Sequence, residues 1–179
     1  MERRRVLKAA AVASTVGLTG LAGCSSSNPD GNNDSDSPSN RPTNTILMVT
    51  EGSDYYFDPI GLFVESGKTV TFEIDSGSHS ATAYTKGTGQ ASVTRIPEGA
   101  KTWDSGILSE QGATFEHTFK TTGTYDYYCT PHKSLDMVGR IVVGEPGGPA
   151  EGSMPPDGDV PESQTIVDQG AVSYSGFSE

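Results

Sequence analysis

From Thr69 to Asp75 the chain alternates strictly, with Val70, Phe72 and Ile74 on one parity and Thr71, Glu73 and Asp75 on the other. Period two predicts a strand with one face buried and the other wet. The same period returns at Phe115, His117 and Phe119 and again from Thr124 to Cys129, while Ile46–Val49 and Ile141–Val143 are short apolar runs with β-favouring residues. Glycines at Ser66-Gly67-Lys68 and Thr122-Gly123-Thr124 punctuate these runs. No segment sustains a helical period. The pattern predicts an all-β domain over residues 45–144, a Greek-key sandwich of two antiparallel sheets.

Outside that stretch the pattern fails in three different ways. Residues 1–23 join a basic start, Arg3-Arg4-Arg5-Val6-Leu7-Lys8, to a short weakly apolar stretch, which reads as an export signal of twin-arginine type. Leu21-Ala22-Gly23-Cys24 is similar to a lipobox, so Cys24 is expected to carry lipid. Residues 24–44 follow as a polar Ser, Asn, Asp, Gly and Pro tether with an end-to-end distance of roughly 25 Å. Within it Asn33-Asp34-Ser35 matches a glycosylation acceptor. Residues 86–109 hold the only tryptophan, Trp103, and read as a long loop. Residues 145–179 contain no Lys or Arg and read as an acidic tail, in which Ile166, Val167, Val172, Tyr174 and Phe177 suffice for one docking patch or short helix.

Charge narrows the partners. The chain carries a net charge of -11; residues 1–23 hold a net +3, so a chain beginning at Cys24 would carry -14. No basic stripe is present, which argues against nucleic acid. The scattered acids suit a soluble monomer adapted to high salt. With Cys24 assigned to lipid, Cys129 is the one thiol left of the two cysteines, and metal ligation explains a lone thiol in an exported protein.

Cys129-Thr130-Pro131-His132 and Met137 place a thiol, an imidazole and a thioether on one short loop after a strand. Soft sulfur with imidazole selects copper, and two histidines, one cysteine and a long axial methionine form the ligand set of an electron-transfer copper centre. The second histidine comes from His79 or His117, since the chain has only three. His79 lies in a Gly/Ser-rich turn entering a strand, where a side chain can be aimed at a site. His117 shares parity with Phe115 and Phe119 and reads as a structural histidine. Tyr128 must point away from the face that Cys129 uses.

These residues carry a resemblance. Tyr127-Tyr128-Cys129-Thr130-Pro131-His132 with Met137, together with Gly77-Ser78-His79-Ser80 after the Thr69–Phe72 strand, resembles the cupredoxins. These are the small blue copper proteins; the likeness is to their pseudoazurin, plastocyanin and halocyanin group. With the lipobox and the acidity, the chain is most similar to the halocyanins of halophilic archaea. The resemblance implies a cupredoxin-like sandwich and one type 1 copper held by His79, Cys129, His132 and Met137. It further implies neighbours Ser80 and Pro131, and an electron route through the exposed edge of His132, with Tyr128 as a second route. Ser80 departs from the Asn that many relatives carry there. The expected function is single-electron transfer, without catalysis, between membrane-bound respiratory redox complexes, on the outer face of the membrane to which the lipid holds the protein. The other reading is a module that delivers or stores copper.

Overall fold

The structure is a computed structural model and describes residues 44–178. The export signal, Cys24, Asn33 and the tether up to residue 43 lie outside the described residues. In chain order the elements are β1 (Thr45–Glu51), β2 (Asp54–Asp58), β3 (Gly61–Val64), β4 (Thr69–Ile74), β5 (Thr82–Ala83) and β6 (Thr114–Thr118). They continue with β7 (Gly123–Tyr128), β8 (Val138–Val143), α1 (Ser163–Gln169), β9 (Ala171–Val172) and α2 (Tyr174–Phe177). One sheet has the order β2-β1-β4-β6, the other β5-β7-β8-β3-β9.

This is the expected two-sheet sandwich, but its sheets are mixed rather than purely antiparallel. β1 runs parallel to β4 and β3 parallel to β8. The physical reason is the path of the chain, which leaves the first sheet after β2 for β3 and returns for β4. Neighbours joined by such a crossover are free of the antiparallel constraint that a tight hairpin imposes.

The inner faces meet as the alternation requires. Val70, Phe72 and Ile74 of β4 pack with Ile46 and Met48 of β1 against Tyr125, Tyr127, Ile141 and Val143 of the opposite sheet. Gly139 pairs with Tyr127 across β7 and β8, and the Tyr127 ring lies where a side chain at 139 would stand. Any larger residue there would displace the ring from the core.

β7 and β8 are buried along their whole length, on both faces. Their second face is covered by two satellite clusters. Tyr84 and Ala91 close over Tyr128, Val138 and Val160, while Ile60, Val142, Ile166 and Val172 form the other cluster, with Phe63, Val167, Tyr174 and Phe177 at its margin. The reading of 145–179 as a tail outside a domain ending at 144 is thereby corrected: β9 pairs antiparallel with β3, and Val160 and Ile166 are fully buried. The cause is that the second sheet is apolar on its outer side too, and each aliphatic side chain buried there contributes about 1.5–3 kcal/mol.

The same outer face buries charge. Asp126 of β7 is fully buried between two arginines, with Arg95 Nε donating at 2.7 Å and Arg140 Nε and Nη2 at 2.8 and 3.1 Å. Both guanidiniums also donate to the Ala150 carbonyl, at 2.9 and 3.1 Å, and Arg95 reaches Ser153 as well. One carboxylate therefore joins the sheet, the 86–109 loop and the C-terminal segment.

Asp126→Asn keeps the shape but leaves two buried guanidiniums without their counter-charge, and should lower the unfolding free energy by about 3–5 kcal/mol in denaturant melts. Glu151 accepts from Thr124 and Ser163 hydroxyls at 2.5 and 2.6 Å. Burial raises its pKa, but these bonds and the charges of Arg140 and Arg95 outweigh burial and hold it below the usual carboxylate value. A depressed folded pKa gives stability that is present above the unfolded value and lost as pH falls through the folded one. Glu151→Gln should therefore flatten the acid limb of stability against pH, below about pH 4.5, without a comparable effect on its slope near neutrality.

Candidate metal centre

Two loops at one end of the sandwich bring the predicted donors together. His79 sits between β4 and β5, tied to Leu108 by an isolated antiparallel bridge. Cys129 follows β7 directly, and His132 begins a single 3-10 turn (Lys133–Leu135) before β8. Cys129 Sγ lies 3.6 Å from His79 Nδ1 and 3.5 Å from His132 Nδ1, and the two Nδ1 atoms are 3.2 Å apart. The point equidistant from all three is about 2.0 Å from each, close to a metal–imidazole bond and slightly short of a metal–thiolate bond. The triangle fits one metal ion.

His79 is oriented by what its other nitrogen does. Nε2 is 2.9 Å from the Ser76 carbonyl and 3.0 Å from Thr50 Oγ1. A carbonyl only accepts, so the proton resides on Nε2 and the Nδ1 lone pair faces the metal position. Gly77 makes this approach possible: its φ is +82°, and a side chain there would collide with Thr50.

The sulfur is held from the same loop. Ser80 N–H donates to Cys129 Sγ at 3.4 Å, and Ser80 Oγ accepts from Thr130 N–H at 2.8 Å. Ser80 thus links the two ligand loops through its hydroxyl. A relay runs on from it, through Thr82 Oγ1 at 3.1 Å to Asp104 Oδ1 at 3.1 Å.

Burial shifts the titration of all three donors. It pushes the His79 imidazole down to about 4, with His132 acting in the same direction against the Ser76 carbonyl. It also lowers His132 and raises the Cys129 thiol, the latter against donation from Ser80 and His132. Metal binding at such a set releases the thiol proton, since the thiolate is the ligand.

His79 and Cys129 are fully buried, whereas His132 is only partly so and lies beside exposed Pro131 and Leu135, the latter 52% exposed. Met137 is fully buried in the same core cluster as Cys129, and its carbonyl accepts from Cys129 N–H at 3.0 Å. Asp136 just before it adopts a left-handed conformation, φ 61°, that turns the chain back into β8. His117 is elsewhere: it stacks on Trp103 with centroids 4.7 Å apart and pairs with Val70 across β4 and β6. Tyr128 does face away from Cys129, but it is not outward; it is fully buried against Tyr84 beneath the 86–109 loop, because the C-terminal segment and that loop cover this face. An exposed second electron route through Tyr128 is corrected accordingly.

Tyr55 is a neighbour of the donor set that the pattern of the sequence did not single out. From β2 its ring stacks on His132 with centroids 3.9 Å apart and planes at 15°. Thr50 and Ser76 were equally unmarked. The run Asp54-Tyr55-Tyr56-Phe57-Asp58 does not alternate, and nothing in it names the partner ring.

A β-sandwich whose two end loops gather two imidazoles and a thiolate around one ion position defines a copper-binding protein of the small single-site class. Residues 44–144, more than half of the chain, match the copper binding proteins of the plastocyanin/azurin family, and the chain belongs to that family. Halocyanin of Natronomonas pharaonis is 33% identical over 102 residues, which cover 55% of this chain and 55% of that protein. The chloroplastic plastocyanin of Oryza sativa subsp. indica is 30% identical over 101 residues, covering 55% and 61%. The matched stretch thus spans under two thirds of the length of these curated relatives. Among solved structures, a pseudoazurin from Methylobacterium extorquens AM1 is 23% identical over 70% of this chain and 93% of that one, with a TM-score of 0.48. Oxidised plastocyanin of Dryopteris crassirhizoma is 28% identical over 55% and 98%, with a TM-score of 0.43.

Ser80→Ala would leave Thr130 N–H without its acceptor. Metal-free protein carrying it should be less stable by about 1–3 kcal/mol in denaturant melts, while still binding copper through the unchanged Ser80 backbone N–H and the three donors.

Proposed function

We propose that the protein is a single-electron carrier that works with one type 1 copper cycling between Cu(II) and Cu(I). The observation that carries this reading is the 3.2–3.6 Å triangle of His79, Cys129 and His132 donors, closed on the protein side and reaching the surface only through His132. When bound, copper supplies a one-electron couple, and the mixed thiolate and imidazole set satisfies both of its oxidation states. Met137, buried in the same cluster as Cys129, would be the fourth residue to hold the ion, through its thioether.

The chain's own residues keep the geometry constant. Fixed ligands on two hydrogen-bonded loops reduce the rearrangement that accompanies electron transfer. His132, ringed by Pro131, Leu135 and the stacked Tyr55, offers a partner a short route into the site. Full burial of Cys129 and His79 disfavours a delivery or storage role, which needs ligands that an acceptor can reach. His117, the remaining one of the three histidines, stacks on Trp103 away from the triangle.

The setting belongs to the same proposal. Arg3-Arg4-Arg5 and Leu21–Cys24 support export and lipid attachment at Cys24, on the outer face of the cell membrane, with membrane-bound redox complexes as partners. Among the described residues no helix is long and apolar enough to cross a membrane. A monomer without affinity for nucleic acid fits the acidic balance.

Copper-loaded protein should show intense thiolate-to-copper absorption in the visible range that a mild reductant bleaches and an oxidant restores. Cys129→Ser should abolish the colour and His117→Ala should keep it. A colourless or irreversible adduct of the unaltered chain overturns the reading.

A further inference from the structure

The segment beyond the family stretch reaches the copper loop itself. Asp157 lies past residue 144, where the family match ends. Its Oδ2 is 2.5 Å from Lys133 Nζ and accepts from the Tyr84 hydroxyl at 2.7 Å. Lys133 directly follows His132. Its ammonium lies over the rings of Tyr84 and Tyr128, 5.9 and 5.5 Å from their centroids. The neighbouring Gly158 backs onto the same loop, such that a side chain there would meet Asp136 at 3.2 Å and Val138 at 2.9 Å. Val160, fully buried with Tyr84, Tyr128 and Val138, holds this strand of chain in place.

We propose that Asp157 is a positioning residue for the copper loop, acting through Lys133 to fix the turn that carries His132 and leads to Met137. The ligand loop is closed at its base by Cys129 N–H to the Met137 carbonyl at 3.0 Å and by His132 N–H to the Cys129 carbonyl at 3.2 Å, whereas its turn has Leu135 N–H to the His132 carbonyl at 3.0 Å and a long bond, 3.4 Å, from Met137 N–H to the same oxygen. The segment adds an ion pair that is mostly removed from water, with side chains 17% and 21% exposed, and a backbone stop behind Asp136. Partial burial and two aromatic faces strengthen such a pair beyond an open surface contact. The consequence is a turn held from both sides: Tyr55 stacks on His132 from β2, and Lys133 is drawn to the C-terminal segment.

The proposal rests on the copper reading for its purpose but not for its test. In the full, metal-free chain, amide hydrogen exchange at Leu135 and Met137 would be compared in the unaltered protein, Asp157→Asn, Asp157→Glu and Lys133→Met. Exchange at these two amides should rise about three- to fivefold in Asp157→Asn and Lys133→Met, with β4 amides unchanged and Asp157→Glu close to the unaltered protein. In the copper-loaded chain the same two variants should release Cu(II) to a chelator faster and alter its electron paramagnetic resonance spectrum, again with recovery in Asp157→Glu. Unchanged loop exchange in both variants overturns the proposal, as does an equal rise in β4, which would mean general loosening. Should Asp157→Asn fail to fold, Lys133→Met decides, because it leaves every apolar contact of the C-terminal segment in place. Failure of the unaltered chain to form a coloured copper site would sink the carrier reading, while the metal-free exchange would still decide on Asp157.

Discussion

Asp126 is the point on which the second sheet depends. A carboxylate with no exposure is tolerable only when its charge is matched and its oxygens are filled, and here Arg95 and Arg140 do both. The three residues come from β7, the 86–109 loop and β8, and the Ala150 carbonyl that both arginines share brings in the C-terminal segment. Removing water from this cluster is what allows Tyr128, Val138 and Val142 to be covered. The ion cluster and the satellite apolar clusters are therefore one cooperative feature: each protects the other from solvent.

The metal site inherits its precision from that arrangement. Cys129 leaves β7 immediately after Tyr128, and β7 is clamped on one side by β8 and on the other by the short pairing of Thr82 with Tyr128. A slip of one residue in either register would turn Cys129 out of the core and Tyr128 into it. The first-histidine loop is fixed relative to β7 by Ser80, whose backbone N–H faces the sulfur and whose hydroxyl receives Thr130. The Ser80 hydroxyl also meets Thr82 Oγ1, which in turn donates to Asp104, so the bridge between the loops is anchored at its far side. The second histidine loop closes on itself through backbone bonds such as Cys129 N–H to the Met137 carbonyl, and the Tyr55 stack and the Lys133–Asp157 ion pair add to them.

What the sequence made legible follows from locality. β4 was readable because it lies between the core and water, so its alternation of Val70, Phe72 and Ile74 with polar residues survives into the structure. The thiol, imidazole and thioether were readable because nine consecutive residues contain them. By contrast β7 and β8 are covered on both faces, so the alternation of Thr124 to Cys129 suggested one wet side that does not exist. Asp126 and Arg140 resemble surface charges in such a pattern, and only the fold reveals their mutual neutralisation. β2 and β3 are too short to carry a period, which hid Tyr55 and with it the ring that covers His132. Contacts such as Asp157 with Lys133 join distant segments and leave no local mark.

The C-terminal segment shows why a domain boundary drawn from composition can mislead. Absence of Lys and Arg and an excess of Gly and Pro after residue 144 imply a chain that need not fold. Yet its sparse apolar residues, Ala150, Val160, Ile166 and Val172, are spaced to meet a sheet whose outer side is equally apolar. A sandwich ending at residue 144 would expose Val142, Tyr128 and the Asp126 cluster to water. The folded unit is thus larger than the family stretch, and the rigidity of the loop that carries His132 is a property of that larger unit.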